Sequence, residues 1–333
     1  MSLLFAIESS CDETAMAVLK DDKELLANVV SSQVNTHQLY GGVVPEIASR
    51  LHIQNISVVL EQTIRQANID LKDVDAIAVT YGPGLIGSLH VGLQVAKTLA
   101  LAYQKPLIGV HHIVGHIYAN QLVDAIVYPC LALVVSGGHT ELVYMSKPMD
   151  FDVIGQTYDD AVGEAFDKVG RVLGLPYPGG VAIDRLAKEG KITYQLPKPL
   201  NDDSFNFSFS GLKSAVINLV HNATQRNEEI VVADMAASFQ SVVVDVLVSK
   251  TLRAAQHYNV KQIILAGGVA ANSSLREVIS KRVNQELTNI KLSLPPLWCC
   301  TDNAAMIAAA GKVMYDLSMF EELDVSAKPS IDL

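Results

Sequence analysis

Two histidines four residues apart, His112 and His116, are the first residues whose types and spacing suggest chemistry. Imidazoles at i and i+4 share one face of a helix and can be offered to one metal ion. They sit in Leu107-Ile-Gly-Val-His111-His112-Ile-Val-Gly-His116, where an apolar strand, Leu107 to Val110, runs into a helix expected to begin near His111. The carboxyl end of such a strand is where open α/β sheets place their ligands. Ile113 stands where a His-Glu-x-x-His protease would carry its glutamate. A carboxylate that completes a three-ligand set, Asp302, follows Cys299-Cys300 near the C-terminus.

Two turns add polar chemistry. Glu8-Ser-Ser-Cys-Asp12-Glu13 joins two apolar stretches and crowds three acids into six residues, which repel unless a cation or donors lie nearby. Ser136-Gly137-Gly138 is a bare turn whose backbone N–H groups can cradle an anion. Gly82, Gly84 and Gly87 match G-x-G-x-x-G between a strand and a helix. Pro83 removes one N–H, however, and the next strand ends in histidines rather than the acid a ribose requires. The stretch therefore reads as a glycine-rich turn near a ligand, not as an NAD site.

The elements that position these groups follow from periodicity. Leu3–Ile7 and Thr14–Leu19 form a hairpin, Ser31–Leu39 and Gly41–Pro45 a loop, and Glu46–Gln66 a helix with Arg50 and His52 on its polar side. Val74–Thr80 is a strand and Leu89–Ala102 a helix; Leu131–Val135 and Thr140–Met145 form a second hairpin. Helices are expected at Asp159–Leu173, from Asp184, at Ala233–Ala255 and at Asn303–Leu317. Ser204–Lys213 is extended, and Asn272 is expected to cap the helix after Gly267-Gly268 and to bind a ligand. Displaced by 126 residues, the first hairpin falls on the second without a gap, Ser10 on Ser136 and Thr14 on Thr140. Ile77–Gly84 echoes Ile263–Gly268 more weakly. Such echoes imply a duplicated domain with ligand held between the halves.

Composition sets the outer bounds. A chain of 333 residues favours two domains. Half of it is hydrophobic, but the apolar runs are short, so no membrane span is expected, and Leu3–Ile7 is too brief for a signal peptide. Four cysteines without a C-x-x-C pair suit a reducing cytoplasm. A net charge of −10 argues against general nucleic-acid binding, so any RNA contact needs a local basic patch or a partner.

Eight stretches in order resemble one family across nearly the whole chain. They are Glu8-Ser-Ser-Cys-Asp-Glu-Thr14, Gly41–Arg50, Gly82-Pro-Gly-Leu-Ile-Gly87, His112-x-x-x-His116, Val135-Ser-Gly-Gly-His-Thr140, Phe207–Lys213, Gly267–Asn272 and Cys300-Thr-Asp-Asn303. The family is the tRNA N6-adenosine threonylcarbamoyltransferase catalytic subunit, formerly labelled an O-sialoglycoprotein endopeptidase. Departures are minor: Val181-Ala182 after the glycine pair and Ala305 after Asn303-Ala304. The resemblance implies an α/β actin-like ATPase fold made of two ribonuclease-H-like domains with nucleotide and metal in a cleft. Residues 1–115 plus 303–333 are expected to form the first domain, and 116–302 the second, with a helical insertion near 155–215. By motif, His112, His116 and Asp302 correspond to metal ligands. Val135, Ser136, Gly137, Gly138, His139, Asp167, Gly180, Asp184 and Asn272 correspond to positions that hold the adenylate.

The implied reaction moves threonylcarbamoyl from threonylcarbamoyl-AMP to N6 of adenosine 37, in tRNAs reading codons that begin with adenine. That amine is a poor nucleophile because its lone pair is delocalised into the ring. A metal on two imidazoles and a carboxylate, with open positions, polarises the carbonyl or phosphate. Such a donor set favours Fe(II) and accommodates Zn(II). Asp12 and Glu13 are the candidates to take the amine proton, or else they order metal-bound water or tRNA. Bacterial family members work with an inactive paralogue subunit and a small ATPase subunit. A metalloprotease is one rival reading; an actin-like ATPase, kinase or non-catalytic nucleotide-binding scaffold is another.

Overall fold

The computed structural model describes residues 2–200 and 202–333 and divides into two compact units. One holds the chain up to Ile126 together with Pro295–Leu333; the other is Val127–Leu294. The expected boundaries at 115/116 and 302/303 are corrected accordingly. The first would cut the continuous helix His112–Tyr118, and the second would part Asp302 from the helix that follows it.

In the first unit the strands β1 (Leu3–Glu8), β2 (Glu13–Lys20), β3 (Glu24–Ser32), β4 (Ala76–Gly82) and β5 (Leu107–His111) lie in the order β3-β2-β1-β4-β5. β1 is antiparallel to β2 and parallel to β4, which is parallel to β5. Helices α2 (Pro45–Ala67) and α3 (Ile86–Tyr103) cover one face, where Phe5, Ile7, Met16 and Val79 meet Ile56, Val59, Leu93 and Ala96. After the one-turn helix α10 (Leu297–Cys300), helix α11 (Ala304–Asp316) packs across β1, β2, β4 and β5. Apolar contacts on both faces explain why β1 and β2 read as continuous apolar runs rather than alternating ones.

The second unit repeats this plan. Strands β6 (Cys130–Val135), β7 (Thr140–Met145), β8 (Asp152–Gln156), β9 (Gln262–Ala266) and β10 (Lys291–Ser293) lie in the order β10-β9-β6-β7-β8. The register repeats too. Leu4 faces Leu19 across the first hairpin, and Cys130 faces Met145, the same pair 126 residues on. Leu4 also pairs with Ala76 as Cys130 pairs with Gln262, so the weaker echo from Ile77 to Ile263 is in register as well. Helices α5 (Val162–Val172), α6 (Gly179–Ala187), α7 (Ser210–Arg226), α8 (Val232–His257) and α9 (Ser273–Glu286) complete the unit. Helix α8 is long and apolar enough to cross a membrane, yet 56% of its most apolar window is buried, and it packs against α6 and α9.

Several local expectations change. Ser31–Leu39 is not all loop: it takes in the end of β3 and a short helix, α1 (Val34–Gln38). β3 escapes the pattern because it is an edge strand of mixed burial. Helix α5 starts at Val162, leaving Asp159 and Asp160 outside it, since their carboxylates bind Ser208, Ser210, Lys168 and Lys213 instead. Asp184 lies inside α6 rather than opening a helix. His52 is fully buried while Arg50 is exposed, so they do not share a polar face.

Candidate active site

His111 ends β5 and caps the short helix α4 (His112–Tyr118), its Nδ1 accepting from the backbone N–H of Ile113 at 3.2 Å. That leaves Nε2–H to donate to the Ile331 carbonyl at 3.2 Å. The cap starts the helix at His112, which fixes the i and i+4 relation of His112 and His116. Gly115, between them, lets α4 lie against α11: a Cβ there would come 2.8 Å from Cδ1 of Ile307. Asn303 caps α11 through Met306 N–H at 3.1 Å, and Asp302 immediately precedes it. Strand end, glycine contact and two caps together bring two distant parts of the chain, and the three side chains they carry, to one place.

The result is a tight donor set. The ligating-type atoms of His112, His116 and Asp302 all lie within 4.8 Å of one another. Nε2 of His112 is 3.6 Å, and Nε2 of His116 3.2 Å, from the same oxygen, Oδ1 of Asp302. The two rings are nearly perpendicular, at 85°. Behind them stands Glu8, fully buried, whose Oε2 is 3.3 Å from Nδ1 of His112 and accepts from Thr80 Oγ1 at 2.5 Å. Ser10 Oγ also reaches Nδ1, at 3.1 Å. A carboxylate on Nδ1 fixes the tautomer that presents Nε2 to a metal and raises its basicity.

Charges balance within the cluster. Burial disfavours the His112 imidazolium, but Asp302 and Glu8 outweigh it and hold that group at about 9. Burial would likewise raise Asp302, yet His112 and His116 bring it down to about 2. Glu8 stays below the usual carboxylate range because His112 overcomes its burial. Glu13 goes the other way, pushed well up by burial and by repulsion from Asp302 and Asp12.

These residues fit a divalent metal. His116 is almost completely buried, yet among the described residues neither ring nitrogen finds a hydrogen bond of adequate geometry, even with Nε2 3.2 Å from Asp302. Buried imidazole nitrogens without hydrogen bonds are costly, and coordination would satisfy Nε2. Two imidazoles and one carboxylate are also a donor set that transition metals accept.

The glycine-rich turn at Gly82–Gly87 serves packing within the first unit. A Cβ on Gly82 would overlap the Lys328 carbonyl oxygen at 2.1 Å, and one on Gly84 would meet the Ser10 carbonyl oxygen at 2.6 Å. The turn thus seats the C-terminal segment, with Gly84 N–H donating to Pro329, and abuts the acid turn, with Leu85 N–H donating to the Ser10 carbonyl.

The expected adenylate residues all fall in the second unit. Val135, fully buried, ends β6 immediately before the turn. Ser136 N–H donates to the His139 carbonyl at 2.9 Å, and Ser136 Oγ accepts from His139 N–H at 3.0 Å, closing the turn. Gly163, at the start of α5, lets that helix touch the turn; a Cβ would sit 2.6 Å from the Ser136 carbonyl oxygen. Asp167 accepts from Gly179 N–H at 2.7 Å, holding the start of α6 beside Gly180. Asp184 accepts from Ser273 Oγ at 2.9 Å, and Asn272 caps α9 through Leu275 N–H while donating to Gln240 at 2.8 Å. Asp167, Asp184 and Asn272 thus each already order a helix start.

Gly137 and Gly138 are exposed, and a Cβ on either meets nothing within 4 Å. Valine at either position should therefore leave the melting temperature near that of the parent. It should also abolish adenylate binding by blocking phosphate from the turn's N–H groups. Unchanged affinity by calorimetry would make the turn structural only.

Glu8 and Gly115 shape this cluster, although the sequence stretches that contain them assign neither a role. The signal for Glu8 is an acid ending an apolar strand whose other residues are nearly all core. The signal for Gly115 is a glycine inside the histidine repeat.

Two sheets of one topology, one of them carrying the histidine–aspartate cluster at its strand ends, define a protein of the actin-like ATPase fold. Solved structures agree on the fold. HypF from T. kodakarensis matches with a TM-score of 0.64 over 95% of this chain and 48% of its own, at 14% identity. The Acidaminococcus fermentans (R)-2-hydroxyglutaryl-CoA dehydratase component A matches with a TM-score of 0.55 over 95% of this chain and all of its own, at 14% identity. Sequence gives the family. The TsaD model, tRNA N6-adenosine threonylcarbamoyltransferase, matches residues 24–309, and the chain belongs to that family. A relative of that name from Anoxybacillus flavithermus is 60% identical over 98% of this chain and 96% of its own length. Another, from Bacillus subtilis, is 56% identical over 99% and 95%.

Proposed function

We propose that this chain transfers threonylcarbamoyl from threonylcarbamoyl-AMP to N6 of adenosine 37, in tRNAs reading codons that begin with adenine. The observation that carries this reading is the His112–His116–Asp302 cluster, backed by Glu8, in a chain that matches a transferase of this family over 98% of its length. The amine attacks the carbamoyl carbon, the bond from that carbon to the phosphate oxygen breaks, and AMP leaves with its charge. The amine gives up one proton in the process.

The chain's own residues divide this work. The backbone of Val135–His139 receives the phosphate, while Asp167, Gly180, Asp184 and Asn272 shape the nucleoside site. Asp12 or Glu13 accepts the amine proton. His112, His116 and Asp302 hold one divalent ion, Fe(II) in preference to Zn(II), which when bound supplies Lewis-acid polarisation. Glu8 keeps His112 in the tautomer that leaves Nε2 free.

Four cysteines present as thiols, and an α8 whose most apolar window is 56% buried, suit a cytoplasmic enzyme. Two further subunits, an inactive paralogue and a small ATPase, fit the charge. At −10 the chain offers no global attraction for polyphosphate, so the tRNA footprint is local or shared.

Incubation with threonylcarbamoyl-AMP and unmodified tRNA, with and without the two partner proteins, tests this proposal. Modified tRNA should form, with weak tRNA binding by the isolated chain and a gain in turnover with partners. Absence of product with the complete set, or peptide cleavage or ATP-dependent phosphorylation instead, would refute it. Tight tRNA binding and many turnovers by the chain alone at physiological salt would refute the shared footprint.

A further inference from the structure

His52 is an anomaly in its helix. The other buried positions of α2 are Ala48, Ile56, Val59 and Thr63, yet position 52 carries an imidazole with no exposed surface. Burying a polar ring costs free energy unless both nitrogens are satisfied. Both are: Nε2 lies 2.9 Å from the Cys11 carbonyl and Nδ1 2.7 Å from Thr14 Oγ1. A carbonyl only accepts, so Nε2 carries the hydrogen and Nδ1 accepts from the Thr14 hydroxyl. One ring therefore grips both ends of the stretch Cys11-Asp12-Glu13-Thr14. Gln33 completes the hold, its N–H donating to the Asp12 carbonyl at 3.0 Å and its Nε2 to the Ala48 carbonyl at 3.3 Å.

The turn needs holding. Asp12 is buried and Glu13 and Asp302 are partly buried, and repulsion among the three carboxylates works against a fixed placement of the two acids. Burial and that same repulsion already push Glu13 well above the usual carboxylate range.

We infer that His52 is a positioning residue for the reaction, fixing the Cys11–Thr14 turn so that Asp12 and Glu13 keep the placement that proton transfer requires. The inference rests on the reading that one of those acids takes the amine proton. His52 touches neither carboxylate and acts through the backbone and Thr14.

Two substitutions separate positioning from packing. His52→Phe fills the volume and removes both hydrogen bonds; His52→Gln keeps a donor where Nε2 stands. Both are assayed with saturating adenylate and tRNA in the presence of the partner proteins, with melting temperature and metal content measured on the same preparations. His52→Phe should lower kcat by about 10²-fold, the scale of an ångström-level misplacement. KM for the adenylate and metal content should stay unchanged, and His52→Gln should recover most of the rate. Should His52→Phe fail to fold, the Gln variant and its combinations decide.

Combining each variant with Asp12→Asn and with Glu13→Gln gives the second readout. Beside the amide of the acid that acts as base, the His52 variant should cost nothing further. A folded His52→Phe with full kcat overturns the inference, as does a loss that multiplies fully with both amides. If both single amides transfer at the parental rate, the reading beneath it falls, and the inference with it.

Discussion

Replacing His112, His116 or Asp302 by alanine should each strip the protein of metal and of transfer activity while leaving it folded. Removing even an outer-shell partner of a metal-bound histidine costs about 10–100-fold in affinity, and removing one of three direct ligands should cost more. Glu8→Gln provides the comparator, since Glu8 lies against Nδ1 of His112 at 3.3 Å and is not in the donor set. It should weaken metal within that range without abolishing binding. The pH dependence has a definite sign. In the metal-free protein the carboxylates hold the His112 imidazolium at about 9, and the ring must lose its proton to coordinate. Metal uptake at neutral pH should therefore release a proton, and affinity should rise with pH up to about 9. Elemental analysis of dialysed protein, with calorimetry in buffers of different ionisation enthalpy, measures both. Full metal occupancy in all three alanine variants, or uptake without proton release at neutral pH, would rule this cluster out as the metal site.

The candidate functional residues that are legible in the sequence share one property: their signal is local. The histidine pair, the acid turn and the bare Ser136–Gly138 turn are each a few residues long, and the hairpin repeat shows itself by direct displacement. Burial on both faces gives β1 and β2 uninterrupted apolar runs, so their ends, and hence the acid turn between them, can be placed. What stays hidden depends on contacts between distant segments. Glu8 looks like one more acid of a crowded turn until β4 brings Thr80 and β5 brings His112 against it. His52 reads as a polar surface residue of α2, because nothing near it in sequence reveals that Cys11 and Thr14 lie beneath that helix. The G-x-G-x-x-G stretch is ambiguous for the same reason. A glycine needed for close approach looks identical whether the approaching atom belongs to a phosphate or, as at Gly82, to the Lys328 carbonyl. The boundaries at 115/116 and 302/303 fail because the motifs lie inside the first unit rather than at its margins.

Glu13→Gln and Asp12→Asn should separate proton transfer from metal binding, and Glu13→Gln should do so with a stability effect of its own. An amide preserves shape and the hydrogen bond from Ser32 Oγ to Glu13 Oε1, which is 3.0 Å long, but it cannot accept a proton. If Glu13 is the base, its amide should retain metal and adenylate and lose transfer by roughly 10²–10⁴-fold, the usual worth of a positioned acid or base. The same prediction applies to Asp12→Asn if Asp12 is the base. Burial first, and then Asp302 and Asp12, raise the Glu13 carboxyl well above its ordinary range, so the folded protein binds that proton more tightly than the unfolded chain does. Such a group destabilises the fold increasingly as pH rises from the ordinary carboxylate range towards its folded value. Glutamine carries no charge to bury, so the metal-free Glu13→Gln protein should melt higher than the parent at neutral pH and alike at acid pH. Greater stability with lost turnover is what a residue kept for chemistry rather than for folding shows. Single-turnover transfer, metal content and melting curves at two pH values on the same preparations check each part. Near-parental transfer in both amides with metal intact would take the carboxylates out of the proton transfer. An unchanged melting temperature in metal-free Glu13→Gln at neutral pH would show that Asp302 and Asp12 do not crowd Glu13 as described.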